Sequence, residues 1–233
     1  MTEADKLRMT EAGWLGSDDP LAMLQFVRTS YRVSDRKQRL LSVACCRQMW
    51  NLFTDERSRQ AVEVAEQFAD GIASKEGLVE AQRAARHACD EIFGLANNVD
   101  EYAIAAAAAV FAAASSSDAA VHVVAAACRV GTFEDISKEE PSCARRSFLT
   151  GLTRDFFGNP FRPISFSPEW RTITTVALAR LMYDSRDFGA MPILADALQD
   201  AGCDNEVILN HCRDGKQVHV RGCWVVDLVL GKE

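Results

Sequence analysis

Residues 210–224 read NHCRDGKQVHVRGCW, gathering two histidines, two cysteines and three basic side chains into fifteen positions. Three chemistries draw on these residue types. Imidazole nitrogens and thiolates hold zinc-class ions. Arginine and lysine beside glycines that let backbone amides approach hold a phosphate or carboxylate. A thiol beside an imidazole and a carboxylate is the constellation of a cysteine hydrolase.

The metal-ligating candidates are Cys203, His211, Cys212, His219 and Cys223. Their spacing, HC-x6-H-x3-C, matches none of the usual paired-ligand patterns. His211 and Cys212 are adjacent and would point about 100 degrees apart on a helix, so one ion would take only one of them. His219 and Cys223 fall four apart, which would place them on one face of a helix. Two ligands do not close a shell, so Cys203 or one of the 211 and 212 pair would have to complete it. The simpler expectation packs the cysteines as small apolar residues, with the histidines hydrogen-bonded at helix ends.

The anion candidates are His211, Arg213, Lys216, His219 and Arg221 around Gly215 and Gly222, with Arg162 and Asn159 offered separately by the loop FGNPFRP. Basic side chains near helix ends also serve unpaired carbonyls, and here they could equally pair with Asp196, Asp200 or Asp214. For a hydrolase, Cys212 or Cys223 would work with His219, oriented by Asp214 or Asp227. The local signatures of cysteine proteases are absent, as are a Walker loop, a Gly-x-Gly-x-x-Gly turn and a His-Glu-x-x-His helix, so no catalytic residue is assigned. Asp196 and Asp200 share a helix face and, without a Glu-x-x-His partner, read as solvated. The vicinal Cys45 and Cys46 face different ways on a helix and make a poor dithiol clamp.

The elements that must position these residues are helical. SDDPLAMLQFVR carries Asp18 or Asp19 as cap and Pro20 at the first helical position, predicting a helix from about Pro20 to Arg28. VSDRKQRLLSVACCRQMWNLF follows with Ser34 or Asp35 as cap, an inward stripe through Leu40, Leu41, Val43, Ala44, Met49, Trp50 and Phe53, and Arg36, Lys37, Arg39 and Arg47 on the wet side. TDERSRQAVEVAEQFADG is capped at Thr54 or Asp55 and stopped at Gly71. The alanine-rich run from SKEGLVEAQ to AAACRVG, broken at SSSD, predicts closely packed antiparallel helices. After the loop GTFEDISKEEP, SCARRSFLTGLTRDFFG is helical. The proline-rich NPFRPISFSPEW is an extended loop anchored by Phe161, Ile164 and Phe166.

Ser167 caps the next helix, read along SPEWRTITTVALARLMYDSRDFG, and AMPILADALQDAGC and DNEVILNHC are two short helices parted by Gly202, with Asp204 capping the second. VHVRGCWVVDLVL suits either a strand or a helical stripe through Trp224, Val225, Leu228 and Val229. The reading is an all-α multi-helix bundle of about eight to ten antiparallel helices with a Pro-rich connecting loop. Residues 1–157 form its N-terminal part and 158–233 its C-terminal part, packed on one core.

A chain of 233 residues, 48% hydrophobic and 25% charged, can bury a substantial core. Its net charge of -7 argues against a surface that tracks nucleic acid, which rests on neutralising phosphates. No run reaches the roughly 18 apolar residues of a membrane helix, and the charged N-terminus is unlike a secretory signal, so the expected location is cytoplasmic. The eight cysteines are irregularly spaced and read as buried free thiols rather than a disulfide framework.

Three blocks resemble a group of uncharacterised proteins abundant in planctomycete bacteria. They are SDRKQRLLSVACCRQMWNLFTDERSRQAVEVAEQFADG, FGNPFRP and the final PILADALQDAGCDNEVILNHCRDGKQVHVRGCWVVDLVLGKE. Together they cover 87 of the 233 residues. The resemblance implies a bacterial cytoplasmic origin and transfers no catalytic residue. The functional expectation is a non-enzymatic helical scaffold or interaction module with an unknown protein partner and no cofactor. The alternative is a small-anion- or metal-binding protein, zinc being the metal, with or without hydrolytic activity, centred on His211, Cys212, His219, Arg221 and Cys223.

Overall fold

Helix caps set the frame of the structure, a computed structural model that describes residues 9–95, 108, 110, 119–129 and 143–232. The Asp19 carboxylate accepts from the amides of Leu21 and Ala22, both at 3.0 Å, and Pro20 occupies the first turn, where an amide would have no partner. Ser34 and Asp55 cap the next two long helices in the same way. The described residues are all-α, with no strand among them.

In chain order the helices are α1 (Glu11–Gly16), α2 (Pro20–Ser30), α3 (Asp35–Gln48), α4 (Glu56–Ala69), α5 (Lys75–Leu95), α6 (Ala119–Arg129), α7 (Cys143–Phe157), α8 (Ile173–Ser185), α9 (Met191–Asp200), α10 (Glu206–Arg213) and α11 (Trp224–Leu230). Short 3-10 turns lie at Trp50–Leu52 and Pro168–Trp170. Much of the alanine-rich stretch and the loop GTFEDISKEEP lie outside the described residues, and with them the expected pairing of two alanine-rich helices.

The chain groups into two compact units, Met1–Thr150 and Gly151–Glu233. The division falls inside α7, so about its last two turns, residues 151–157, belong with the C-terminal unit. In the first unit α3 packs against both α4 and α6, and α4 against α5. Because α3 is covered on two sides, not all of its basic residues stay wet. Arg39 is buried with its guanidinium 5.1 Å from the centre of the Phe68 ring, and Arg47 meets the buried Glu66 carboxylate at 2.7 Å. Cys45, Cys46, Cys89 and Cys128 are all buried.

In the second unit α8 packs on α9 and α11, and α10 on α9 and α11, around Met182, Leu194, Leu198, Ile208, Val225 and Val226. Ile164 and Phe166 of the proline loop lie against this core, while Phe161 is half-buried. Ser167 caps only the 3-10 turn, not a long helix. The Thr175 hydroxyl donates to the Trp170 carbonyl at 2.8 Å and Thr172 caps Thr175, so the backbone restarts at Ile173. Asn205, not Asp204, caps α10, accepting from Val207 and Ile208. VHVRGCWVVDLVL forms no strand: Val218–Val220 has no regular secondary structure, and Trp224 begins a helix.

Candidate metal centre

Asp155 stands in the last turn of α7, on the side that Leu152 and Phe156 turn inward, and it has no solvent exposure. His211 stands in the last turn of α10. His219 lies in the irregular segment after the turn at Asp214, where the Gln217 amide donates to the Asp214 carbonyl at 3.1 Å. Cys223 immediately precedes α11, and its carbonyl accepts the amide of Asp227 at 2.9 Å. Between the last two, Gly222 adopts a φ of 100°, and a Cβ there would sit 2.2 Å from Cε1 of Phe156. This left-handed turn folds Cys223 back toward His219 while the backbone presses on the aromatic ring beside Asp155.

The result is a group of four ligand-type side chains whose Oδ, N and Sγ atoms all lie within 4.8 Å of one another. His219 Nδ1 is 2.7 Å from Asp155 Oδ1, and His211 Nε2 is 3.3 Å from the same oxygen. Cys223 Sγ is 3.2 Å from His211 Nε2 and 3.8 Å from His219 Nδ1. The second Asp155 oxygen accepts the Val220 amide at 3.2 Å. Behind His211, the Trp224 indole N–H donates to Nδ1 at 3.2 Å.

Electrostatics follow from this placement. Burial works to raise the Asp155 pKa, but hydrogen bonds from His211 and His219 outweigh it and hold the carboxyl below the ordinary aspartate value. Burial pushes His211 below the usual imidazole value, with Asp155 acting in the opposite sense. The Cys223 thiol is pushed well above its ordinary range, first by burial and then by the Asp155 charge. A buried thiol held protonated beside a carboxylate is a poor nucleophile. Both imidazoles also face the carboxylate and the sulfur through one nitrogen, so neither can relay a proton from sulfur to carboxylate across its ring. The arrangement suits a cation that would turn thiol into thiolate and satisfy all four donors at once.

Of the five metal candidates read from the sequence, His211, His219 and Cys223 come together. Cys203 and Cys212 are buried in the adjoining apolar core and are not in the group. Cys212 behaves as a packed thiol pushed up to about 12, chiefly by burial. Cys203 borders a separate groove with Gln199, Asp204, Glu206 and Arg213. The pair 219 and 223 meets through the Gly222 turn and not by sharing a helix face. Asp155 takes the place that Asp214 or Asp227 was expected to fill. The available signal was helical phase: Asp155 follows Leu152 by three positions and so falls on the inward side of α7.

Of the anion candidates, His211 and His219 meet at Asp155, while the basic side chains each have their own surroundings. Arg213 reaches Asp196 at 2.9 Å and Gln199 at 2.7 Å, tying α10 to α9. Arg221 donates to the carbonyls of Tyr183 at 2.6 Å and Asp184 at 3.1 Å, closing the end of α8. Lys216 and Arg162 are exposed on separate loops. Asn159 accepts the Phe161 amide at 3.0 Å and thereby shapes its own loop. No family model, curated protein or solved structure matches the chain.

Proposed function

We propose that the protein is a metal-binding protein whose C-terminal unit takes one zinc-class divalent ion at Asp155, His211, His219 and Cys223. The observation that carries this reading is the convergence of four donor atoms, drawn from α7, α10 and the 219–223 turn, within 4.8 Å of one another in a buried place. Ligands about 2.0–2.3 Å from a tetrahedral centre stand about 3.3–3.8 Å apart; the 3.3 and 3.8 Å contacts fall in that range, 3.2 Å lies just below it, and the 2.7 Å His219–Asp155 hydrogen bond would have to open. A carboxylate and a thiolate carry two negative charges between them, matching a divalent cation, and the mixed oxygen, nitrogen and sulfur set suits zinc better than magnesium or calcium. Four protein donors complete a tetrahedral shell. The role that follows is to tie three segments together rather than to activate water, which needs an open position.

Metal analysis of the purified chain and zinc titration against a chromophoric chelator test this. The expected result is about one equivalent for the wild type and none above background for a His219→Ala, Cys223→Ser double variant. Cobalt(II) should give the intense visible bands of a tetrahedral thiolate site. A wild-type chain that takes up no zinc, or a double variant that binds as well as wild type, would sink the reading.

A second reading, a helical interaction module, is favoured by large apolar side chains that stand in solvent on consecutive helices: Ile173 is 92%, Leu181 63% and Ile193 58% exposed. Replacing all three with serine would leave the chain folded and remove capture of a partner that the wild type retains. Capture by both forms alike would sink this reading.

A further inference from the structure

We infer that Trp224 opposes metal binding at His211, holding the ring in the tautomer that suits the metal-free hydrogen-bonded cluster, so that the site binds its ion reversibly and the unit folds without it. The inference rests on the metal reading for the site it regulates. An indole N–H can only donate, so the 3.2 Å contact from Trp224 requires a free lone pair on His211 Nδ1. In a neutral imidazole the hydrogen then sits on Nε2, the atom facing Asp155 Oδ1 at 3.3 Å and Cys223 Sγ at 3.2 Å. That hydrogen occupies the position a metal would take.

Binding an ion at Nε2 moves the ring hydrogen to Nδ1, where it meets the indole N–H head on, donor against donor. The Trp224 bond is lost, and Cys223 releases its proton to solvent as the sulfur coordinates. His219 adds to the same opposition from the other side of the cluster. Its Nδ1 faces Asp155, and its Nε2 is buried with no hydrogen-bond partner among the described residues, so a hydrogen moved there gains nothing. Metal-bound histidines ordinarily donate the outer N–H to a carboxylate or carbonyl, which fixes the ring and strengthens the ligand. Here one outer nitrogen faces a donor and the other meets no acceptor among the described residues.

The metal-free cluster, by contrast, is complete around its charge. Asp155 receives His211, His219 and the Val220 amide. A buried carboxylate with three donors needs no cation to stay buried.

Two measurements on the full chain test the inference. In the metal-free protein, nitrogen-15 shifts of His211 should show an unprotonated Nδ1 and a protonated Nε2; the opposite tautomer would overturn it. Trp224→Phe keeps an aromatic ring and removes the N–H, and it should bind zinc about three- to tenfold more tightly, the worth of one neutral hydrogen bond. Damage to packing weakens binding, so a gain cannot arise from it. Wild-type binding with a variant that is no tighter would overturn this inference alone. A wild type without zinc affinity would overturn both it and the metal reading.

Discussion

Asp155 is the residue on which the C-terminal chemistry turns, because a carboxylate with no exposure must be satisfied where it stands. Its replacement by alanine removes the acceptor for two imidazoles and the Val220 amide at one stroke. Each buried donor left without its acceptor costs about 1–3 kcal/mol, so Asp155→Ala should lower the urea midpoint of the metal-free protein by the equivalent of several kcal/mol and abolish zinc uptake. Loss of uptake with an unchanged midpoint would mean that the metal-free hydrogen bonds to Asp155 contribute little. Cys223 sets the pH dependence. Its thiol is pushed up by burial and by Asp155, whereas a metal binds only the thiolate. Protons therefore compete with zinc: affinity should fall as pH falls, by about tenfold per pH unit for each proton released, across the neutral range. Chelator competition at several pH values checks this, and a flat profile would remove Cys223 from the ligand set.

At the scale of elements, the turn 219–223 is what converts a scattered set of residue types into a site. Gly222 is essential to it twice over, through its φ of 100° and through the 2.2 Å that a Cβ would leave to Phe156. Gly222→Ala should cost at least about 3 kcal/mol, combining backbone strain with overpacking, and should lose zinc binding with it. A variant of wild-type stability would show that the turn can relax elsewhere. Arg221 anchors the same turn to the last carbonyls of α8. Arg221→Met should be milder, about 1–3 kcal/mol in the same denaturation experiment.

These elements also divide what the sequence could and could not tell. Local chemistry was legible: Asp19 with Pro20, Ser34 and Asp55 mark helix starts because cap and amide lie within three residues of each other. The choice of Asn205 over Asp204, and of Thr172 over Ser167, was not, because neighbouring cap residues compete and tertiary packing selects between them. The donors His211, His219 and Cys223 were legible by type. Their partner Asp155 was not, since it lies 64 residues before His219 and meets it only when α7 and α10 end at the same place.

For the molecule as a whole, all four proposed donors lie within Gly151–Glu233. A ligand that binds only the folded state stabilises it by mass action, about 2.7 kcal/mol at a free concentration of 100 times the dissociation constant. Because Asp155 is already satisfied by hydrogen bonds, removing the ion should return the unit to its metal-free stability and not unfold it, unlike small zinc domains whose folding free energy is the binding free energy. Hydrogen exchange with and without a chelator separates the two behaviours. Zinc should slow exchange at amides of α7, α10 and the segment 214–224, where three otherwise independent pieces of chain are joined. In chelator, the core amides of α8, α9 and α11, held by Met182, Leu194, Val225 and Val226, should remain protected. Loss of that core protection in chelator would make the ion a condition of folding and leave Trp224 no metal-free cluster to favour. Protection in both states, with a zinc-dependent change confined to the joined segments, is the signature of an ion that reports on the unit without building it.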